Sequence, residues 1–173
     1  MFEKLRRKNL QKQIDKALLN RDVSGRNGKI KSLAFLYNED VISSVSEMKK
    51  IADVLNISEE QITFLSFVTF DKKNTSLTCE QFTNRDFSWK GDLKRKELKD
   101  FVHIQFDALV YFQDGSHEFL DIVAARSAAK FKIGLLNSDE RIHDLMISVT
   151  AKEIDKAAQE IKKYLQIMGK LDI

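Results

Sequence analysis

Between residues 101 and 149, apolar and polar positions fall into short runs of two kinds. The stretches QFDALVYF (105–112), FKIGLL (131–136) and DLMISV (144–149) have strand length, and two of them are apolar on both faces. That is the pattern of a central strand covered by helices on either side. Between the first two runs, a turn at 113–115 leads into helical spacing over residues 116–127. Upstream, IKSLAFLY (30–37) and QITFLSF (61–67) read as further strands. The segment between them opens at Asn38-Glu39-Asp40 and sets Val41, Ile42, Val45, Met48, Ile51, Ala52 and Leu55 on one helical face. Residues 30–67 therefore form a strand–helix–strand unit, long enough for a parallel crossover and expected to be right-handed.

The pattern predicts an α/β fold: one three-layer, Rossmann-like domain over residues 30–173, with a mostly parallel sheet of about five strands. A basic amino-terminal helix and linker, residues 1–29, precede it. In that helix Leu10, Ile14, Ala17 and Leu18 recur at helical spacing, so its second half docks and its first turns stay exposed. Residues 69–99 are the least regular. An extended piece is expected at 76–83 and a short helix at 93–101, with Phe82, Phe87 and Trp89 covering the end of the sheet or, as the alternative, forming an exposed aromatic binding surface. The last helix is predicted from Thr150 and Glu153, three residues apart as in a capping box, down to Gly169.

Composition narrows the class. With 43% apolar and 32% charged residues the chain is globular, and no run reaches the ~20 apolar residues of a membrane span. Phe2 and Leu5 are separated by charge, unlike a signal peptide, so cytoplasmic residence is the expectation. The lone Cys79 forms no internal disulfide and lacks a nearby histidine, which makes it a structural residue. Net charge is +3, unevenly placed: residues 1–32 hold ten Lys/Arg against three Asp/Glu. Such a helix suits an anionic surface or a protein partner, self-association included. Its basic residues have no interleaved aromatics, which disfavours nucleic acid as a partner.

In an open parallel sheet, ligands bind beyond the carboxyl ends of the strands. That rule selects Asp40, Asp114 and His117 as candidate catalytic groups, two carboxylates and an imidazole at one sheet edge. Gly115 and Ser116 follow a strand and open a helix, where free N–H groups could accept an anion. Neither GxGxxG nor GxxxxGK[S/T] occurs, so no nucleotide cofactor is expected. His103 and His143 are expected at the opposite edge from His117, and no metal site is predicted.

Two resemblances follow from these residues. FDALVYF (106–112), AARSAAKFKIGLLN (124–137) and DLMISV (144–149) resemble a family of small Bacteroidetes-type bacterial proteins, a domain of unknown function. Residues 30–137 also resemble the amino-terminal Rossmann-like half of heptosyltransferase-type glycosyltransferases. That likeness is carried by Glu39-Asp40-Val41, by Gln113 after the strand, and by Ala129-Lys130-Phe131-Lys132-Ile133-Gly134. It implies that Asp40 corresponds to the family's base, in a reaction that needs a second domain. The leading expectation is a non-catalytic binding or scaffold protein. A ligand-binding domain or enzyme half-site at the carboxyl edge is the alternative, and a nucleic-acid-associated protein the third reading.

Overall fold

The computed structural model describes residues 1–42, 44–73, 76–78 and 80–172; Cys79 lies outside them. The strands are β1 (Leu33–Asn38), β2 (Ile62–Phe67), β3 (Gln81–Phe82), β4 (Ala108–Phe112), β5 (Phe131–Gly134) and β6 (Leu145–Met146). The helices are α1 (Phe2–Leu19), α2 (Val45–Val54), α3 (Lys96–His103), α4 (Glu118–Arg126) and α5 (Ile154–Ile167).

Among the described residues the sheet has six strands in the order β3-β2-β1-β4-β5-β6, and every strand pair in it is parallel. The domain is three-layered and Rossmann-like, as the apolar runs predict. Leu33 of β1 lies between Ile62 of β2 and Ala108 of β4. The strand added to the expected five is β3, inside the stretch read as extended, where Gln81 and Phe82 pair with Ser66 and Phe67. Chain order reverses direction across the sheet between β1 and β4, which puts the topological switch point at their carboxyl ends.

Alternation along the strands builds two cores. Leu33 and Phe35, Val110 and Phe112, and Phe131 and Ile133 face α2 and α5. Ala34 and Leu36, with Leu109 and Tyr111, face the other way, toward α1, α3 and α4. The helix α1 lies along α4, with Leu10 and Ile14 buried between them. Its first turns carry exposed Phe2 and Leu5, as expected, yet Arg6 is anchored: it donates to the Asn84 carbonyl and stacks over the Phe119 ring at 5.0 Å.

Three local expectations are corrected. The capping box at α5 forms by half: Glu153 accepts from the Thr150 N–H at 3.3 Å, but the helix begins only at Ile154 and Thr150 caps nothing in return. A full reciprocal box instead joins Thr83 and Asp86. The last strand spans two residues rather than six. Asp144 just before it accepts from the Lys132 N–H at 2.8 Å and from both Arg21 and Arg26, and so clamps the linker after α1 onto the sheet. Phe82 and Phe87 do cover the sheet end, packed with Phe67 and Phe119. Trp89 does not. Asn9 and Gln13 of α1 hold the carbonyls of Trp89 and Lys90 and carry the turn outward, leaving the indole 59% exposed.

Candidate functional site

A cleft of about 650 Å³ opens at the carboxyl edge between the amino-terminal turns of α4 and the crossing α1. Phe67 and Thr69 reach it from the end of β2, Ser116 to Phe119 and Asp121 from α4, and Arg7 and Gln11 from α1. Asp139 closes the far side.

Of the residues selected from sequence, His117 stands in this cleft. It is the N-cap of α4, its Nδ1 accepting from the Leu120 N–H at 3.2 Å. Its ring packs edge-on to Phe67 at 4.5 Å. Burial lowers its pKa below the usual histidine range, against the opposing pull of the Glu118 and Asp40 charges. Asp40 does not line the cleft itself but bonds Thr69, which does. It is exposed, and its carboxylate accepts from the Thr69 hydroxyl at 3.3 Å. Asp114 turns away: its carboxylate accepts from the Ala151 N–H at 2.7 Å and ties the loop after β4 to the approach to α5. Gly115 has φ of +71°, a conformation glycine adopts without cost, and its N–H donates to the Leu136 carbonyl. Ser116 lines the cleft. His117 and Ser116 thus line the cleft, Asp40 reaches it only through Thr69, and Asp114 is tied to Ala151.

The groups that sequence reading missed lie one turn deeper. Asp121 is 6% exposed, and its carboxylate accepts a 2.5 Å hydrogen bond from the Tyr111 hydroxyl of β4. Burial pushes its pKa up to about 6, although the Tyr111 bond pulls the other way. Burial, with the Asp121 charge beside it, also raises the Tyr111 phenol. On the other side of Tyr111, the His143 ring lies 5.0 Å away with Nδ1 at the Asp139 carbonyl and Nε2 unpartnered. Burial pushes His143 down to about 4, so it is neutral inside the fold. Glycine at 134 makes room for it, because a Cβ there would stand 2.8 Å from the imidazole. His143 precedes its strand as expected, yet its side chain reaches inward to Tyr111 rather than remaining at the amino edge. The signal available in sequence was a carboxylate inside the apolar helical run FLDIVAA, ten residues after a tyrosine in an apolar strand.

A neighbouring pocket of about 500 Å³ lies past β2 and β3, lined by Glu39, Arg85 and Arg95 among others. Glu39 accepts from the Ser66 hydroxyl at 2.7 Å and from the Gln81 amide at 2.8 Å. At the switch point, where a Rossmann fold would hold pyrophosphate against a glycine-rich turn, this chain therefore places the carboxylates Glu39 and Asp40. Among the described residues, no group of three His, Cys, Asp or Glu side chains could hold a metal ion. None of the described helices is long and apolar enough to cross a membrane.

These features define a class: a three-layer, parallel α/β domain with Rossmann strand order. Within that class the chain belongs to DUF6913, a family of unknown function, which matches residues 6–168. No curated protein and no solved structure matches it.

Proposed function

We propose that this protein is a non-catalytic binding module for a small, unphosphorylated molecule bearing hydroxyl or amino groups, held in the cleft between α1 and α4. The observation that carries the reading is Asp121, an almost fully buried carboxyl group lining an open cleft beside His117 and Asp139. Burying a carboxyl costs free energy unless partners satisfy it; the Tyr111 hydroxyl bonds one oxygen, and the backbone N–H of His117 also favours the charged form. A ligand hydroxyl or ammonium entering the cleft would add a further partner to this carboxylate. The stacked rings of Phe67 and Phe119, 5.6 Å apart, supply an apolar wall. A concave apolar site with a few convergent polar groups is what small-molecule recognition requires. Glu118 and Asp139 are paired with Arg7 and Arg141, so it is the Asp121 carboxylate that opposes a phosphate group in the cleft. A glycosyl-transfer role, implied by the resemblance at Asp40, would in addition need a second protein to supply the other half of the site.

Thermal unfolding against monosaccharides, amino sugars, polyols and nucleotides tests the reading. A ligand at ~100 times its Kd adds roughly 2.7 kcal/mol, or about 5–10 °C for a domain this size. Stabilisation by an unphosphorylated polyol or amine, abolished in Asp121→Asn, is the expected result. Stabilisation by nucleotides that survives Asp121→Asn would overturn it.

A further inference from the structure

A second surface lies around the amino-terminal turns of α1, and it has the opposite character. Phe2 is 89% exposed, Trp89 59% and Leu5 46%, which puts two aromatics and a leucine side by side in water. Between them runs a groove of about 730 Å³, also lined by Arg6, Arg85, Phe87 and Lys94. The groove has a built floor, since Arg6 is fixed by the carbonyls of Asn84 and Phe87. The bonds from Asn9 and Gln13 to the carbonyls of Trp89 and Lys90 hold the turn along the flank of α1. The backbone that carries Trp89 is thus tied to α1, and the Lys90 ammonium lies 5.5 Å over the indole.

The surrounding charge is basic. Lys8, Lys12 and Lys16 follow on the exposed side of α1, and Lys90 and Lys94 flank Trp89 in the turn. Among the described residues none of these five makes a salt bridge. The acidic residues nearby are Glu3 in the groove lining, Asp92 bonded to Ser88, Asp86 held by the Thr83 N–H, and Asp15 of α1 paired with Arg141.

We infer that this face docks on an anionic lipid bilayer, with Phe2, Leu5 and Trp89 entering the headgroup zone and the lysines spread over the surface charge. Aromatic side chains favour the membrane interface, where an apolar body and a polar edge are both accommodated. Phe2 and Leu5 at the tip of α1, with Trp89 in the neighbouring turn, put apolar side chains beside the lysine row of the helix, the pairing of apolar and basic groups that interfacial binding uses. Arg6 and Arg85 are engaged within the fold, by the Asn84 and Phe87 carbonyls and by the Phe70 ring, and the cations without a carboxylate partner are lysines, Lys90 lying 5.5 Å over the Trp89 ring. They fit a diffuse anionic field better than a shaped acidic partner, whose carboxylates would call for fixed bidentate donors. This inference stands apart from the cleft and its ligand.

Trp89 is the sole tryptophan, so its fluorescence reads the proposed contact directly. The full chain would be mixed with phosphatidylcholine vesicles, with and without phosphatidylglycerol, and followed by co-sedimentation and by emission. With phosphatidylglycerol, the protein sediments, and Trp89 emission shifts to the blue and becomes shielded from an aqueous quencher. Lys90→Ala and Lys94→Ala each weaken binding about fivefold, as expected for one charge at the surface. Leu5→Ser reduces the blue shift, and Lys162→Ala on the far side changes nothing. High salt releases the protein. Unchanged melting temperatures in these variants separate lost docking from lost folding. Failure to sediment with either vesicle overturns the inference, as does sedimentation with Trp89 still open to the quencher. Shielding of Trp89 that rises with protein concentration in the absence of lipid overturns it in favour of a second copy of this chain.

Discussion

The two faces of the sheet solve the same packing problem with different materials. Toward α2 and α5 the core is built from side chains such as Phe35, Met48, Ile51, Val110, Ile133, Ile161 and Leu165. Toward α1 and α4 the layer is also apolar, but it holds Asp121, Lys132 and His143, three of the four ionisable Asp, His and Lys side chains buried among the described residues. Lys132 is fully buried, its amine donating to the Ala125 carbonyl at 3.2 Å, and burial pushes its pKa down to about 7. The fourth, Lys170, sits at the amino-terminal rim over Phe131 and donates to the carbonyls of Arg26 and Gly28. Buried ionisable groups reduce stability unless they are satisfied. Concentrating them on one face leaves the other to hold the fold, while the polar face carries the cleft.

The sharpest way to break this comparison is to damage the apolar face alone. Phe35 is fully buried and stacks on Phe64 with ring centroids 5.4 Å apart. Phe35→Ala should cost about 3–5 kcal/mol, the range for emptying a buried aromatic site, measured by urea unfolding. The Asp121–Tyr111 bond lies across the sheet, so ligand binding per folded molecule should be retained. A loss below 1 kcal/mol would mean that the α2/α5 face does not dominate stability.

A second experiment sharpens the contrast through pH. Burial raises Asp121 from 3.8 to about 6, so between those values the unfolded chain gives up a proton that the folded protein keeps. That group therefore stabilises the fold below about pH 4, and its contribution is lost as pH rises toward 6. His143 acts in the opposite sense. Its pKa falls from 6.5 to about 4, so the unfolded chain takes up a proton first, and stability is lost as pH falls through that window. Each effect amounts to about 3 kcal/mol, and over pH 4 to 6 they oppose one another. Asp121→Asn removes the first and leaves the second. Between pH 6.5 and 4 the variant should lose about 3 kcal/mol more than the parent protein. Carboxylates held low in both proteins, such as Asp107 and Asp139, cancel in the difference. Parallel stability profiles would show that Asp121 is not held protonated by the fold.

The same contrast explains how much of the molecule was legible in the sequence. The α2/α5 face was open to reading because apolar period is all it contains: Val45, Met48, Ile51 and Ala52 line up on one helix and Ala157, Ala158, Ile161 and Leu165 on another. Strand identities followed for the same reason. The switch-point rule then reached the loops that hold Asp40 and His117. It could not separate them from Asp114, whose carboxylate is taken up by a backbone N–H at 151, a partner no local pattern names. Nor could it find Asp121, because pairing with Tyr111 depends on α4 folding back over the end of β4. Trp89 was misplaced for a related reason. Its aromatic character suggests burial, but hydrogen bonds from Asn9 and Gln13, about eighty residues away in sequence, set where its backbone runs.

The smallest expected difference concerns the caps on the two faces. Thr83 opens the 3₁₀ turn Asn84–Asp86 on the α1/α4 side, where its hydroxyl accepts from the Arg85 N–H at 3.2 Å and Asp86 accepts from the Thr83 N–H at 2.7 Å. Thr83 is 3% exposed, so removing the hydroxyl leaves a donor with little access to water. Thr83→Ala should therefore cost about 1–2 kcal/mol, the upper part of the range for lost caps. At the start of α5 the arrangement is one-sided and solvated: Glu153 receives the Thr150 N–H and hydroxyl, each at 3.3 Å, and Thr150 caps no helix N–H in return. Thr150→Ala loses only an exposed contact and should cost a few tenths of a kcal/mol, about the value of a weak surface pair. Urea unfolding of the two variants, side by side, measures the gap. Equal losses would mean that the half-formed box at Thr150 caps α5 in solution and that the helix starts where its sequence signature places it.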